Sequence, residues 1–207
     1  GKWLMRDQLL DELKGENNFG VLLMVQMDGV PDTLQCVVAT TEYDDSAGGL
    51  RDKNQYLVRA VGVQEHQVSV GIFKSLTLTE DHPLLYQYNT MPVGVFFKGE
   101  PDDANELVLD VFQGYASTFG PWRHIPTYIN VQKPLVDLVT GGGDLLGEMP
   151  KPLAERMVKV LEHHKLETKQ IEGKQESPTV KAMFFDESYI VALDFTVEPF
   201  GRKAGGK

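Results

Sequence analysis

The chain has 207 residues, 42% hydrophobic and 24% charged, with a formal net charge of −10 and a pI near 4.9. So acidic a surface repels nucleic-acid phosphates and anionic lipid headgroups, which argues against nucleic-acid and membrane partners. A transmembrane helix needs roughly 18 or more consecutive apolar residues, and no such run occurs. The lone cysteine, Cys36, excludes an internal disulfide framework and fits a cytoplasmic protein.

In chain order, residues 3–13 read as an amphipathic helix with Met5, Leu9, Leu10 and Leu13 on one face and Gly15 as its stop. The start turns charged too early for a signal peptide, and the missing initiator Met fits a chain trimmed before Gly1. Residues 21–25 are apolar on both faces and read as an interior strand, closed by a turn at Asp28-Gly29. Residues 34–43 are the next strand, followed by a polar loop at 44–49 that is expected to be mobile. Strands at 56–63 and 68–78, with a tight connection at 64–67, complete an antiparallel meander over the first 80 residues.

Residues 93–97 read as a buried strand. Tyr86 and Tyr88 would share one face of a connecting strand before it. The clearest helix covers 102–119: Asp102 is the expected N-cap, and Leu107, Val108, Val111, Phe112, Tyr115 and Phe119 recur at helical spacing before Gly120-Pro121. A second helix is expected at 153–164, with Pro152 in its first turn. A short strand at 169–171 precedes a hairpin of 180–185 and 189–197. In its last strand Tyr189, Val191, Leu193, Phe195 and Val197 share the core face.

Clusters of strands, then helices, then strands indicate an α+β fold: a mixed, mainly antiparallel sheet with two or three helices packed on it. The expectation is a single domain over 1–200, with a flexible basic tail over 201–207. A boundary near residue 100 carries less weight, because nothing there resembles a linker.

Two segments stand out chemically. In the first, Gly141, Gly142 and Gly143 precede Asp144 and Glu148. Bare glycines let a backbone approach a ligand closely. The order matches no phosphate loop, and the two carboxylates would repel an anion, so a surface loop between two helices is the expectation. In the second, Trp122, Arg123, His124 and Tyr128 follow Gly120-Pro121. Aromatics and Arg are enriched in binding surfaces, and His titrates near neutrality. Such aromatics also plug cores, with the Arg capping a helix end.

The histidines His66, His82, His124, His163 and His164 show no metal-ligand spacing, and neither a metal nor a cofactor is expected. Cys36 lies mid-strand as a small hydrophobe, with no base or electropositive setting to make it a nucleophile. No catalytic signature emerges. The leading expectation is a non-enzymatic domain that binds a protein partner or self-associates. The alternative is a small-molecule binder or enzyme with its site between the Trp122–His124 and Gly141–Gly143 loops.

Overall fold

The computed structural model describes residues 2–201, with side chains from residue 5 onward; from Arg202 the expected basic tail lies outside the described residues. In chain order the elements are α1 (Lys2–Glu12), β1 (Asn18–Met27), β2 (Thr33–Asp44), β3 (Gly49–Gln67), β4 (Gly71–Phe73) and β5 (Leu76–Thr79). Then come α2 (Tyr86–Asn89), β6 (Pro92–Lys98), α3 (Ala104–Phe119), α4 (Leu135–Val139) and β7 (Gly143–Pro150). The last are α5 (Lys151–His163), β8 (Glu167–Glu172), β9 (Lys181–Phe185) and β10 (Ser188–Pro199). The fold is α+β, and among the described residues every strand pair is antiparallel, so the expected mixed component does not appear there. The described residues hold five α-helices rather than two or three. The extra ones, such as α2 and α4, are too short for hydrophobic periodicity to reveal. No helix among the described residues is long and apolar enough to cross a membrane.

The chain divides into two compact units, one of residues 1–80 with 180–207 and the other Asp81–Thr179. The second is inserted in sequence between β5 and β9 of the first.

The first unit holds a seven-stranded sheet in the order β4-β1-β2-β3-β10-β9-β5. Its two edge strands are consecutive in the chain, with only Lys74 and Ser75 between them. Since all neighbours are antiparallel, β4 and β5 run in the same direction. They are two halves of one bent strand, the first paired with β1 and the second with β9. The sheet therefore curls round on itself and leaves only these short strands as edges.

The bend is held by Asp186, which sits at a φ of 54° in the β9–β10 turn. Its carboxylate accepts from the Lys74 and Ser75 amides, both at 2.9 Å, while its own amide donates to the Ser75 carbonyl at 3.1 Å. Lys74 Nζ donates to the carbonyls of Gly15, Glu16 and Asn18, tying down the turn after α1. The interior is filled by side chains: Leu9 and Leu13 of α1 meet Leu22, Tyr56, Val58, Phe195 and an edge-on Phe73–Phe185 pair.

Three expectations change here. Strand β3 runs through 64–67, because β10 supplies partners for Glu65, His66 and Gln67 despite their polar character. The alternation in β10 breaks between Ala192 and Phe195, so Ile190 and Ala192 join Phe195 and Val197 in the core while Leu193 is exposed; the bulge in this ladder lies in β3, where Gln64 is the extra residue between Val63 and Glu65. Residues 45–47 form a 3-10 turn capped by the Asp44 side chain.

In the second unit a three-stranded sheet, β7-β6-β8, is packed on one face by helices. Val93, Val95 and Phe97 of β6 meet Leu107, Val111 and Tyr115 of α3 and Met157 and Leu161 of α5. Asp103, not Asp102, caps α3 by accepting from the Glu106 amide at 3.1 Å. Phe112 is exposed, because the buried stripe follows Leu107, Val111, Tyr115 and Phe119. Residues 83–89 are a 3-10 turn running into α2, not a strand, so Tyr86 and Tyr88 do not alternate as a strand would place them. Between α3 and α5, His164 Nε2 lies 2.6 Å from Asp110 Oδ2 with its side chain 8% exposed, a polar tether across the helix pair.

Candidate functional site

The Trp122–Tyr128 loop is braced against its own unit. The Arg123 guanidinium donates to the Leu84 carbonyl at 3.1 Å, and the Trp122 ring meets His82 edge-on at 5.0 Å. Burial depresses the His82 pKa, partly opposed by the Asp81 charge. Tyr115 Oη donates to the His124 carbonyl at 2.6 Å, while the His124 residue itself is exposed. Burial pushes the Tyr115 phenol up to about 12, so it is a donor at neutral pH. Tyr128 stacks at a tilt on Phe119 and donates from Oη to Gln87 Oε1 at 2.6 Å. These contacts hold residues 82–87 to the end of α3.

The glycines make a different junction. Gly142 and Gly143 have φ of 90° and 154°, backbone that admits the turn from α4 into β7. Gly143 is the first residue of β7 and pairs with Lys98, while the Gly142 carbonyl accepts from the Gly99 amide at 2.9 Å. A strand follows the glycines rather than a helix, so no helix N-terminus adds to them. The glycines thus join β7 to the C-terminal end of β6, whereas Trp122 and Arg123 engage residues 82–84, upstream of that strand.

Two polar features lie in the first unit. Glu12, at the end of α1, accepts from Thr40 Oγ1 at 2.7 Å, Asn54 Nδ2 at 2.6 Å and Gln8 Nε2 at 3.2 Å. Partial burial raises its pKa, but the hydrogen bonds, led by that from Thr40, outweigh this and hold it below the usual carboxylate range. Beside it the buried Tyr56 phenol is pushed well above its ordinary range, first by burial and then by the Glu12 carboxylate. Glu12 thereby links α1 to β2 and β3. Cys36 is fully buried, and desolvation pushes its thiol up to about 12. Among the described residues no group of three or more His, Cys, Asp or Glu is placed to hold a metal ion.

The surface that stands out is the second unit's sheet on the side away from its helices. Strand β6 alternates strictly: Val93, Val95 and Phe97 point to the helices, so Gly94, Phe96 and Lys98 lie on the other face. The register carries that face outward. Ile171 and Glu148 flank Gly94, Lys169 and Leu145 flank Phe96, and Glu167 flanks Lys98. A bulge between Val95 and Phe96 brings Leu145 alongside Phe96 while Leu146 stays in the core. Phe96 and Leu145 are half-buried, and Ile171 is 52% exposed. The Phe96 and Leu145 side chains lie over Gly94, where an added Cβ would meet the Phe96 ring at 3.4 Å and Leu145 at 3.9 Å. A groove of about 340 Å³ runs beside β8, lined by Phe96, Lys98, Lys169 and Ile171 among others.

The sheet's two edges differ. On β7, Asn130 covers the edge, donating from its amide to the Leu146 carbonyl at 2.7 Å and from Nδ2 to the Leu145 carbonyl at 3.1 Å. On β8, five of the six residues are exposed. Reading 93–97 as uniformly buried concealed this face. The signal in the sequence was Gly94 and Lys98 alternating with Val93, Val95 and Phe97. Comparison with family models, curated proteins and solved structures finds no match to this chain.

Proposed function

We propose that this chain is a non-enzymatic protein-binding domain that docks its partner on the open face of the second unit's sheet. The observation carrying this reading is the patch itself. Phe96, Leu145 and Ile171 form an apolar centre around Gly94, and Lys98, Lys169, Glu148 and Glu167 surround it. An apolar centre with a charged rim of both signs is the anatomy of protein interfaces. Small-molecule sites instead enclose most of the ligand and aim a few polar groups inward. The side chains first singled out, Trp122, Arg123 and Tyr128, support this reading indirectly by bracing the unit that carries the face.

Site-specific photocross-linking in cells tests it. A photoreactive residue replacing Ile171 is expected to give a discrete adduct. The same residue replacing Val30, 62% exposed in a turn of the first unit, is expected to give none. Equal adducts from both positions, or none from 171, would count against the proposal.

A further inference from the structure

The reading of this face as an interface leaves its occupant unnamed, and the geometry points to a second copy of this chain, added edge to edge along β8. This pairing rests on the proposed docking face. The first unit's sheet curls back on itself through Lys74 and Ser75, and β7 is covered by Asn130. Strand β8 is a six-residue edge, Glu167–Glu172, with five residues exposed. An edge of this kind templates pairing with another strand.

Symmetry then limits the register. Two antiparallel copies related by a twofold axis normal to the sheet keep each residue on its own face, so the axis passes midway between one residue of β8 and its copy. Centred on Lys169, the pairing sets Lys169 against its own copy, and directly opposed like charges are destabilising. Centred on Glu167 or Glu172, it opposes like charges; centred on Thr168, it pairs Lys169 with Glu167 but sets Ile171 against Lys165, before the strand begins, so the apolar centres stay apart. Centred on Gln170, it sets each Lys169 against an Ile171, a cation beside the apolar centre. Centred on Ile171, it sets Ile171 against Ile171, Gln170 against Glu172 and Lys169 against Gly173. Here no like charges are directly opposed, and Gln170 amides can donate to Glu172 carboxylates. The rows on either side follow from the observed register: Ile171 neighbours Gly94, and Gly94 neighbours Glu148. The apolar centres of both copies then join across the axis, and the two three-stranded sheets become one of six. Each copy carries a charge of −10, so long-range repulsion opposes the pairing, and added salt should tighten it.

A disulfide-trapping series on the full chain tests the register directly. Cys36 is buried with its thiol pushed up to about 12, so an introduced cysteine is the reactive thiol. Under mild oxidation Ile171→Cys is expected to trap a dimer of twice 23.1 kDa fastest, with Gln170→Cys and Lys169→Cys at least about tenfold slower. In sedimentation the unmodified chain is expected to dimerise more tightly as salt is added, and Ile171→Lys to weaken the dimer at least about tenfold. Fastest trapping at 169 or 170, or a strict monomer up to hundreds of micromolar, would overturn the proposal. A heterologous adduct at 171 beside a strict monomer would overturn the second copy while leaving the docking face standing; no adduct at all would remove both.

Discussion

Cys36 shows how completely environment decides a residue's chemistry. It has no solvent exposure, and desolvation alone moves its thiol up to about 12. The folded protein is therefore expected to resist an aromatic disulfide reagent at pH 8 and to react fully in denaturant. Rapid labelling of the folded chain would refute that burial. Glu12 runs the other way: hydrogen bonds hold its folded pKa below the usual carboxylate value, against the pull of burial. A depressed folded pKa gives stability that is fully present above the unfolded-state value and lost as pH falls through the folded one. Urea midpoints are thus expected to drop as pH falls below the ordinary carboxylate range, and Glu12→Gln is expected to flatten that drop. An unchanged slope in the variant would show that Glu12 is not a source of it. Cys36 as a buried hydrophobe was legible from its place in a strand. Glu12 was not, because its partners Thr40 and Asn54 lie 28 and 42 residues away in the chain.

At the scale of elements, the sequence located almost every long one and misread what surrounds them. Helix α3 begins within two residues of its expected start, yet its cap is Asp103. Composition could not separate two adjacent aspartates; only the Glu106 amide does. In β10 the core face switches between Ala192 and Phe195, which reverses the expected facing of the strand's first half, since simple alternation assumes one unbroken period. Position 186 is the most informative junction. It read as a hairpin turn, but its carboxylate also holds the Lys74–Ser75 bend that lets one strand serve both sheet edges. Asp186→Ala is expected to cost about 1–2 kcal/mol, given loss of charge-assisted bonds at an exposed site. Asp186→Asn is expected to cost less, because Asn tolerates the left-handed backbone and keeps one acceptor. Equal losses from the two variants, measured by urea unfolding, would mean the charge contributes nothing.

At the scale of the molecule, the first unit's sheet curls on itself and ends in short edge strands, and the second unit keeps an open face and an open edge. Gly94, Phe96 and Lys98 could have been read as an outward face from alternation within β6. Their assembly with Leu145 and Ile171 could not, because it depends on pairing with β7 and β8, tens of residues away. The most direct measurement is amide hydrogen exchange on the full chain over a range of protein concentrations. The account predicts that amides within 167–172 become slower to exchange as concentration rises, while those of the first unit's strands do not change. Exchange in 167–172 that stays the same at every concentration would contradict it.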